Sequence, residues 1–355
     1  MSSMWGNKIK ISLFGESHGQ GIGVVIDGLP AGVPLDLDKI QAHMRRRAPG
    51  HQTWSTQRDE KDLASVLSGY YQGKTTGTPL CAEIRNTDTR SQDYADIIKK
   101  PRPGHADLTA LARYNGANDP RGGGHFSARI MAPLTFAGAV CLQILAARGI
   151  EIRGHIYEIN GISDTAYDGM SLPESVAEKE FPVLSDEQGV KMAAAIEAAR
   201  MDQDSVGGIV ECIATGFPAG LGRPIFGNIE SRISSILFGV PAVKGVEFGR
   251  GFAVAVAKGS ENNDHPQISE EGIRLTTNHG GGIEGGISNG MPIVVRCAFK
   301  PTSSIAKEQD TINLDTMKND KLSLTGRHDP CVVPRAVPIV ESAMAIALLD
   351  LMEEG

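Results

Sequence analysis

The stretch Lys8-Ile9-Lys10-Ile11-Ser12-Leu13-Phe14 alternates polar and apolar residues, the period of a strand with one buried face. Val24-Val25-Ile26 reads as a second strand and residues 80–84 as a third. Between them, Ile40 and Met44 stand one helical turn apart in a segment that Asp36 or Asp38 caps and Arg47 ends. A short helix is predicted over 108–114. From 130 to 147 almost every residue is apolar, with no polar stripe, which predicts a helix buried on all sides. Residues 209–214 read as a strand, 229–238 as a helix, and Met291-Pro292-Ile293 opens another strand. The segment 185–205 carries a Ser185-x-x-Gln188 capping signal and predicts a peripheral helix. The last apolar helix runs to the C-terminus behind the stretch 326–338, whose prolines argue against regular structure. Residues 48–62 read as a polar loop, and the loops around 258–290 and 300–326 are long enough to suggest function.

The second half of the pattern echoes the first. Gly28-Leu29-Pro30-Ala31-Gly32 returns as Gly216-Phe217-Pro218-Ala219-Gly220, each after an apolar strand and before a helix. Thr78-Pro79-Leu80 returns as Met291-Pro292-Ile293, and Arg129-Ile130-Met131-Ala132-Pro133 resembles Arg335-Ala336-Val337-Pro338. Three echoes in one order suggest an ancient duplication. The expectation is one core shared by two interleaved halves, roughly 1–150 and 151–355, with apolar helices inside and sheets outside.

Composition narrows the class. A chain of 355 residues suggests about two ordinary domains by length alone. It lacks both the run of about 18 apolar residues that a membrane span needs and an apolar signal core at its start, so no membrane partner is expected. Its five cysteines are widely spaced with no C-x-x-C, which reads as reduced thiols in a cytoplasmic protein, with no metal site. A net charge of −7 argues against nucleic acid as a partner. An anionic ligand would then need local arginines to overcome the overall field.

Such arginines cluster in glycine- and proline-rich loops. Gly326-Arg327-His328-Asp329-Pro330-Cys331 precedes Arg335, Arg102-Pro103-Gly104-His105-Ala106-Asp107 precedes a helix, and Arg121-Gly122-Gly123-Gly124-His125-Phe126-Ser127-Ala128-Arg129 leads into the long apolar one. The triple glycine can present backbone N–H groups to an anion, or serve as a hinge. Arg45, Arg46 and Arg47 end a helix, where the dipole favours cations, yet three consecutive arginines point in three directions. Lys300-Pro301-Thr302-Ser303-Ser304 is a run of donors suited to a phosphate or a flavin ring edge, and Asn278-His279-Gly280-Gly281-Gly282 sits in the other long loop. Gly15-Glu16-Ser17-His18-Gly19 admits three readings: the nucleophile elbow of a serine hydrolase, a glycine-rich hairpin, or a polar loop serving a composite site.

Taken together, the motifs at 15–19, 102–107, 300–304, 326–331 and 335–338 resemble those of chorismate synthase, and the likeness runs from about residue 5 to residue 352. The resemblance implies an α/β fold, a β-α-β sandwich with buried apolar helices between two mainly antiparallel sheets. It also implies a homotetramer and a reaction that removes phosphate and a ring hydrogen from 5-enolpyruvylshikimate 3-phosphate using reduced FMN. NADPH is the candidate reductant if the chain reduces its own flavin. By resemblance, His18 protonates the reduced flavin, His105 acts near the departing phosphate, Asp329 helps take a proton from flavin N5, and Ser17 and Ser127 position these groups. Substrate anions fall to Arg45, Arg46, Arg47, Arg102, Arg129, Arg327 and Arg335. The cofactor falls to Arg46, His125, Phe126, Ser127, Ala242, Gly285, Lys300, Pro301, Thr302, Ser303, Ser304 and Arg327. In one respect the chain departs from the family: His125-Phe126 stands where Arg-Ser is usual, so no arginine is available there for that contact.

Overall fold

The computed structural model describes residues 3–50, 60–87, 99–167, 173–270, 272–324 and 329–354. Two five-stranded sheets enclose a layer of helices. The first comprises β1 (Met4–Trp5), β2 (Lys10–Gly15), β3 (Gly21–Asp27), β4 (Ala64–Ser68) and β5 (Leu80–Arg85), in the order β1-β2-β3-β5-β4. The second comprises β6 (Glu151–Ile159), β7 (Ile162–Ser163), β8 (Gly208–Thr215), β9 (Val243–Phe248) and β10 (Ile293–Phe299), in the order β9-β10-β8-β6-β7. Every pairing within both sheets is antiparallel.

The principal helices are α1 (Leu37–Arg47), α2 (Asp107–Tyr114), α3 (Met131–Ala146), α4 (Asp186–Met201), α5 (Ile229–Leu237) and α6 (Val333–Glu354). Helices α3 and α6 pack on each other between the sheets. Buried residues surround both axes, so no side of either faces water along most of its length. Gly138 is where they approach most closely: a Cβ there would collide with the Ser342 backbone, so only glycine permits this crossing. The segment Ala128–Ala146 is apolar enough to cross a membrane, but its apolar window is 83% buried within the protein.

The echoes in the sequence have structural counterparts. β2-β3-β5-β4 and β6-β8-β10-β9 follow the same path, with α1 matching α5 and α3 matching α6. Hydrogen bonds repeat as well. Thr75 Oγ1 donates to the Pro30 carbonyl at 2.6 Å and accepts from Val33 N–H at 2.9 Å. Ser288 Oγ donates to the Pro218 carbonyl at 2.6 Å and accepts from Leu221 N–H at 3.0 Å. A hydroxyl residue thus closes the same Pro-Ala-Gly turn in both halves.

Most of the elements read from periodicity are present, and Asp36 is the residue that caps α1, accepting from the Asp38 and Lys39 N–H groups. One expectation is corrected. The stretch 326–338 is not irregular throughout, because α6 begins at Val333 and contains Pro338, so Arg335 projects from a helical first turn. Pro334 lies where helical N–H groups have no partner anyway. Pro338 does cost a ladder bond, and burial of the helix on all sides offsets that loss. The long loops carry small hairpins at 266–275, 283–288 and 309–322.

Candidate active site

The site forms where the N-terminal ends of α3 and α6 meet the loops that leave the sheets. The turn between β2 and β3 delivers Ser17 and His18, both buried, with Ser17 Oγ 3.2 Å from His18 Nδ1. Ser17 N–H donates to the Gly124 carbonyl at 3.1 Å, which pins this turn to the triple glycine. Because the turn joins two antiparallel strands rather than a strand and a helix, it is not a nucleophile elbow.

Gly122, Gly123 and Gly124 have φ of 59°, 85° and 53°. Only glycine holds such a run without strain. Their bare α-carbons also make room. A Cβ on Gly122 would collide with the His18 ring, and one on Gly123 would stand 3.1 and 3.2 Å from His105 Cε1 and Nε2. Two histidines 87 positions apart therefore press on adjacent glycines of one strip of backbone (105 − 18 = 87). Gly123 also lines a cavity of about 120 Å³, together with Asp107, Leu111, Pro120, Phe126 and Leu314 among others.

His105 is held from behind. Its Nδ1 is 2.6 Å from Asp107 Oδ1. Arg102 donates to the same carboxylate through its backbone N–H at 2.9 Å, Nε at 2.8 Å and Nη2 at 2.7 Å. Burial pushes the Asp107 carboxyl up, but the bonds and charge from Arg102 and His105 outweigh it and hold the group far below the usual carboxylate range. Arg102 Nη1 reaches Ser304 Oγ at 3.2 Å, and Lys300 Nζ bonds the Gly104 carbonyl. The 102–107 and 300–304 loops are thereby clasped together.

A second group is cationic. Arg47 and Arg129, both buried, form ion pairs with the two oxygens of Asp62. Arg129 Nε also lies 3.2 Å from Glu60 Oε2 and donates to Asn86 Oδ1 at 3.1 Å. Arg335 pairs with Asp329, and its Nε donates to the Arg47 carbonyl at 2.9 Å. Burial pushes Asp62 up, yet Arg47 and Arg129 together bring it below the ordinary carboxylate value. Burial lowers Arg335, and nearby Arg47 adds to this against the pull of Asp329. Asn86 joins the two groups: while its oxygen holds Arg129, its Nδ2 donates to the Glu16 and Gly19 carbonyls at 3.0 Å, so the His18 turn and the arginine cluster share one strut. Chemically this is a set of guanidinium forks balanced by internal carboxylates, beside two histidines on an uncluttered backbone. An entering anion would compete with those carboxylates for the forks.

The remaining predicted residues divide. Arg46 turns away from this cluster and makes a two-pronged pair with Glu341 of α6 at 2.5 and 3.0 Å, between α1 and the core. Arg45 is exposed at the helix end. His125 Nδ1 donates to the Gly15 carbonyl at 2.8 Å and its Nε2 accepts from Ser3 Oγ at 2.7 Å, so its ring ties the N-terminal strand to the site. Phe126 stacks edge-on against Tyr114 with ring centroids 6.0 Å apart. Ser127 caps the turn that carries Arg129. Ala242, at φ 72°, accepts from Lys300 N–H at 2.9 Å, which places it beside the 300–304 loop. Pro301 packs on Gly207, Ser303 faces Gly104, and Thr302 Oγ1 is buried with no hydrogen-bond partner among the described residues.

Gly285 does not join them. Its hairpin is bonded to the start of α5, and Arg232 of α5 pairs with Asp350. Asp350 lies about 22 Å along α6 from Arg335, at about 1.5 Å per residue. Arg327 lies outside the described residues, as do Gly326 and His328. Burial pushes the Cys331 thiol up to about 12, so it is no thiolate nucleophile beside Asp329.

Sequence reasoning missed Glu60, Asp62 and Asn86, and gave Asp107 no role. Arg47 carried a usable signal, since it continues the Ile40–Met44 stripe one turn on and must therefore face inward. Asp107 stands two positions from His105 in the quoted motif. Nothing in the pattern around Asp62 marks it.

Comparison with known proteins gives a consistent picture. The family model described as chorismate synthase matches residues 9–352. A chorismate synthase of Lancefieldella parvula is 46% identical, covering 99% of this chain and 96% of that one. One from Korarchaeum cryptofilum is 45% identical over 98% of this chain and 96% of the relative. A solved structure titled as the crystal structure of chorismate synthase superposes with a TM-score of 0.78 at 30% identity, covering 99% of this chain and 93% of that chain.

Proposed function

The chain belongs to the chorismate synthase family, and from that premise we propose which of its residues carry the family's reaction. The reaction is the anti-1,4-elimination of phosphate and a ring hydrogen from 5-enolpyruvylshikimate 3-phosphate to give chorismate, catalysed by a reduced-FMN-dependent lyase. The observation that carries the assignment of roles is the convergence of His18 and His105 on adjacent glycines beside paired arginines.

The substrate presents a phosphate and two carboxylates. Arg47, Arg129 and Arg335 bind these anions through planar forks that keep their charge at any working pH. Arg102 acts indirectly, because three of its donors are spent on Asp107. His105 Nε2 is the atom that gives a proton to the departing phosphate oxygen, and Ser304 lies close by through Arg102. On the cofactor side, His18, with Ser17 against its ring, would give a proton to the reduced cofactor, and Asp329, against Arg335, would help take one from it. The apolar flanks of α3 and α6 limit water.

The donor set fits FMN. Lys300 supplies a cation, Ser303 and Ser304 supply hydroxyls, and the buried Thr302 Oγ1 is left for a ligand to satisfy. When bound there, reduced FMN would supply the electron density that helps expel phosphate, with no net oxidation. Ala242 and Ser127 belong to the same cradle. Gly285 can belong to it only through another copy of the chain. Ile225 and Phe226, beside that hairpin, are 71% and 91% exposed, which supports the homotetramer as the working state of a single-domain chain. NADPH as reductant and a cytoplasmic location complete the reading, the latter supported by five free cysteines.

Because internal carboxylates occupy the forks and Thr302 lies on a long loop, substrate is expected to order the cofactor site. Oxidised FMN titrated alone should bind weakly, and its affinity should rise roughly tenfold or more once substrate is present. Tight binding that substrate leaves unchanged would remove this part of the reading.

A further inference from the structure

We propose that Asp62 is a positioning residue for substrate binding: its two carboxylate oxygens set the spacing of Arg47 and Arg129 and leave one nitrogen of each guanidinium for a substrate anion. The proposal deepens the reading in which these arginines take up the anionic groups of the substrate, and it rests on that reading. The two arginines stand 82 positions apart (129 − 47 = 82), Arg47 at the end of α1 and Arg129 in the turn before α3. Both are buried, and two buried cations repel unless a counter-charge stands between them. Asp62 is that charge. Its Oδ2 accepts from Arg47 Nε at 3.1 Å and from Arg47 Nη2, and its Oδ1 accepts from Arg129 Nη1. Arg129 Nε goes to Asn86 Oδ1 at 3.1 Å, with Glu60 Oε2 3.2 Å away. What remains is Arg47 Nη1 and Arg129 Nη2, neither of which is hydrogen-bonded among the described residues.

The segment that carries Asp62 is itself fixed. Gln41 of α1 donates through Nε2 to the Lys61 carbonyl at 3.3 Å and the Asp62 carbonyl at 3.2 Å, and its Oε1 accepts from Ala64 N–H at 3.5 Å. Asp62 is thus tied through its backbone, as well as its side chain, to the helix that ends in Arg47. Its φ of 48° is left-handed, a conformation that Asp and Asn adopt more readily than other residues with a Cβ. Its side chain has no exposed surface (0%). The other charged groups of this corner are Glu60 on Arg129 and the Asp329–Arg335 pair at the start of α6. Arg335 Nε holds the Arg47 carbonyl, so Arg47 is fixed at its backbone by one neighbour and at its side chain by another, and neither takes Nη1. Asp62 competes with an entering anion only for the nitrogens it bonds. The ones it leaves are held at a set distance and angle.

A carboxylate between two arginines could instead serve only to balance charge or to hold the fold, so the test separates the three roles. KM, kcat and melting temperature are measured on the full-length protein with reduced FMN and 5-enolpyruvylshikimate 3-phosphate. Asp62→Glu keeps the charge and moves the carboxylate outward by about 1.5 Å, one carbon–carbon bond. Asp62→Asn keeps the size and suits the left-handed backbone, but its amide accepts from one arginine and meets the other donor to donor. Both variants should raise KM by roughly tenfold to a hundredfold, the cost of displacing a binding group by about 1 Å, while kcat stays within about threefold. Wild-type KM in Asp62→Glu would make Asp62 a counter-charge alone and overturn the proposal. So would a lowered KM in Asp62→Asn, the result expected if the carboxylate only repels the substrate. A fall in melting temperature with KM unchanged, or failure of both variants to fold, would leave Asp62 a part of the fold and overturn it too. In an Arg129→Lys background the shared spacing is already lost, so Asp62→Asn should raise KM by less than it does in the wild type, and an undiminished second rise overturns the proposal. Arg129→Lys alone tests the premise. Wild-type KM there removes the substrate reading and the proposal with it, whereas a raised KM there beside an unaffected Asp62→Glu removes the proposal only.

Discussion

His105→Gln is expected to lower kcat by roughly 10²–10⁴ while KM shifts by about threefold or less. His18→Gln should do the same. Each ring lies against a glycine whose missing side chain makes the room, so the substitution removes a proton carrier without opening a core cavity. Both histidines sit on turns tied down by other groups: Ser17 N–H to Gly124 for one, and Arg102 with Asp107 for the other. The loops should therefore keep their shape, and melting temperature should change little. Stopped-flow turnover with reduced FMN separates kcat from KM. A variant that raises KM and keeps kcat would make its histidine a binding group only.

Arg129→Ala and Arg335→Ala are expected to raise KM by the equivalent of about 2–5 kcal/mol, the loss typical of a buried, hydrogen-bonded charge contact. The structure adds a second consequence for Arg129. It shares Asp62 with Arg47 and also touches Glu60 and Asn86, so alanine leaves two buried carboxylates short of a partner. Stability should fall by about 3–5 kcal/mol as well. Arg129→Lys separates the effects, because it keeps the charge but cannot span Asp62, Glu60 and Asn86 together. It should melt near wild type and still bind substrate weakly. Wild-type substrate affinity in Arg129→Lys would reduce this arginine to a structural part.

Much of the scaffold was legible because the two periods were clean. Alternation over 8–14 marked β2, and the unbroken apolar stretches marked α3 and most of α6. The Pro-Ala-Gly echoes pointed to a repeated turn that Thr75 and Ser288 close with the same hydrogen bonds. Other features hid for physical reasons. Prolines at 334 and 338 suggested a loop, yet burial outweighs the bond they remove, and the helix starts at Val333. Arg46 and Arg47 are neighbours in sequence, but about 100° of helical turn sends one to Glu341 and the other to Asp62. Asp62 and Asn86 escaped because their importance lies in long-range partners: Asp62 pairs with Arg47 and Arg129, and Asn86 links Arg129 to the 16–19 turn. No local pattern encodes such a meeting.

The most direct measurement is anaerobic turnover of 5-enolpyruvylshikimate 3-phosphate by the purified chain with dithionite-reduced FMN. Chorismate, inorganic phosphate and the flavin spectrum are followed together. Chorismate and phosphate should appear one to one over many turnovers, with the flavin still reduced at the end. Absence of chorismate, or a single turnover that leaves the flavin oxidised, would contradict a redox-neutral elimination at this site.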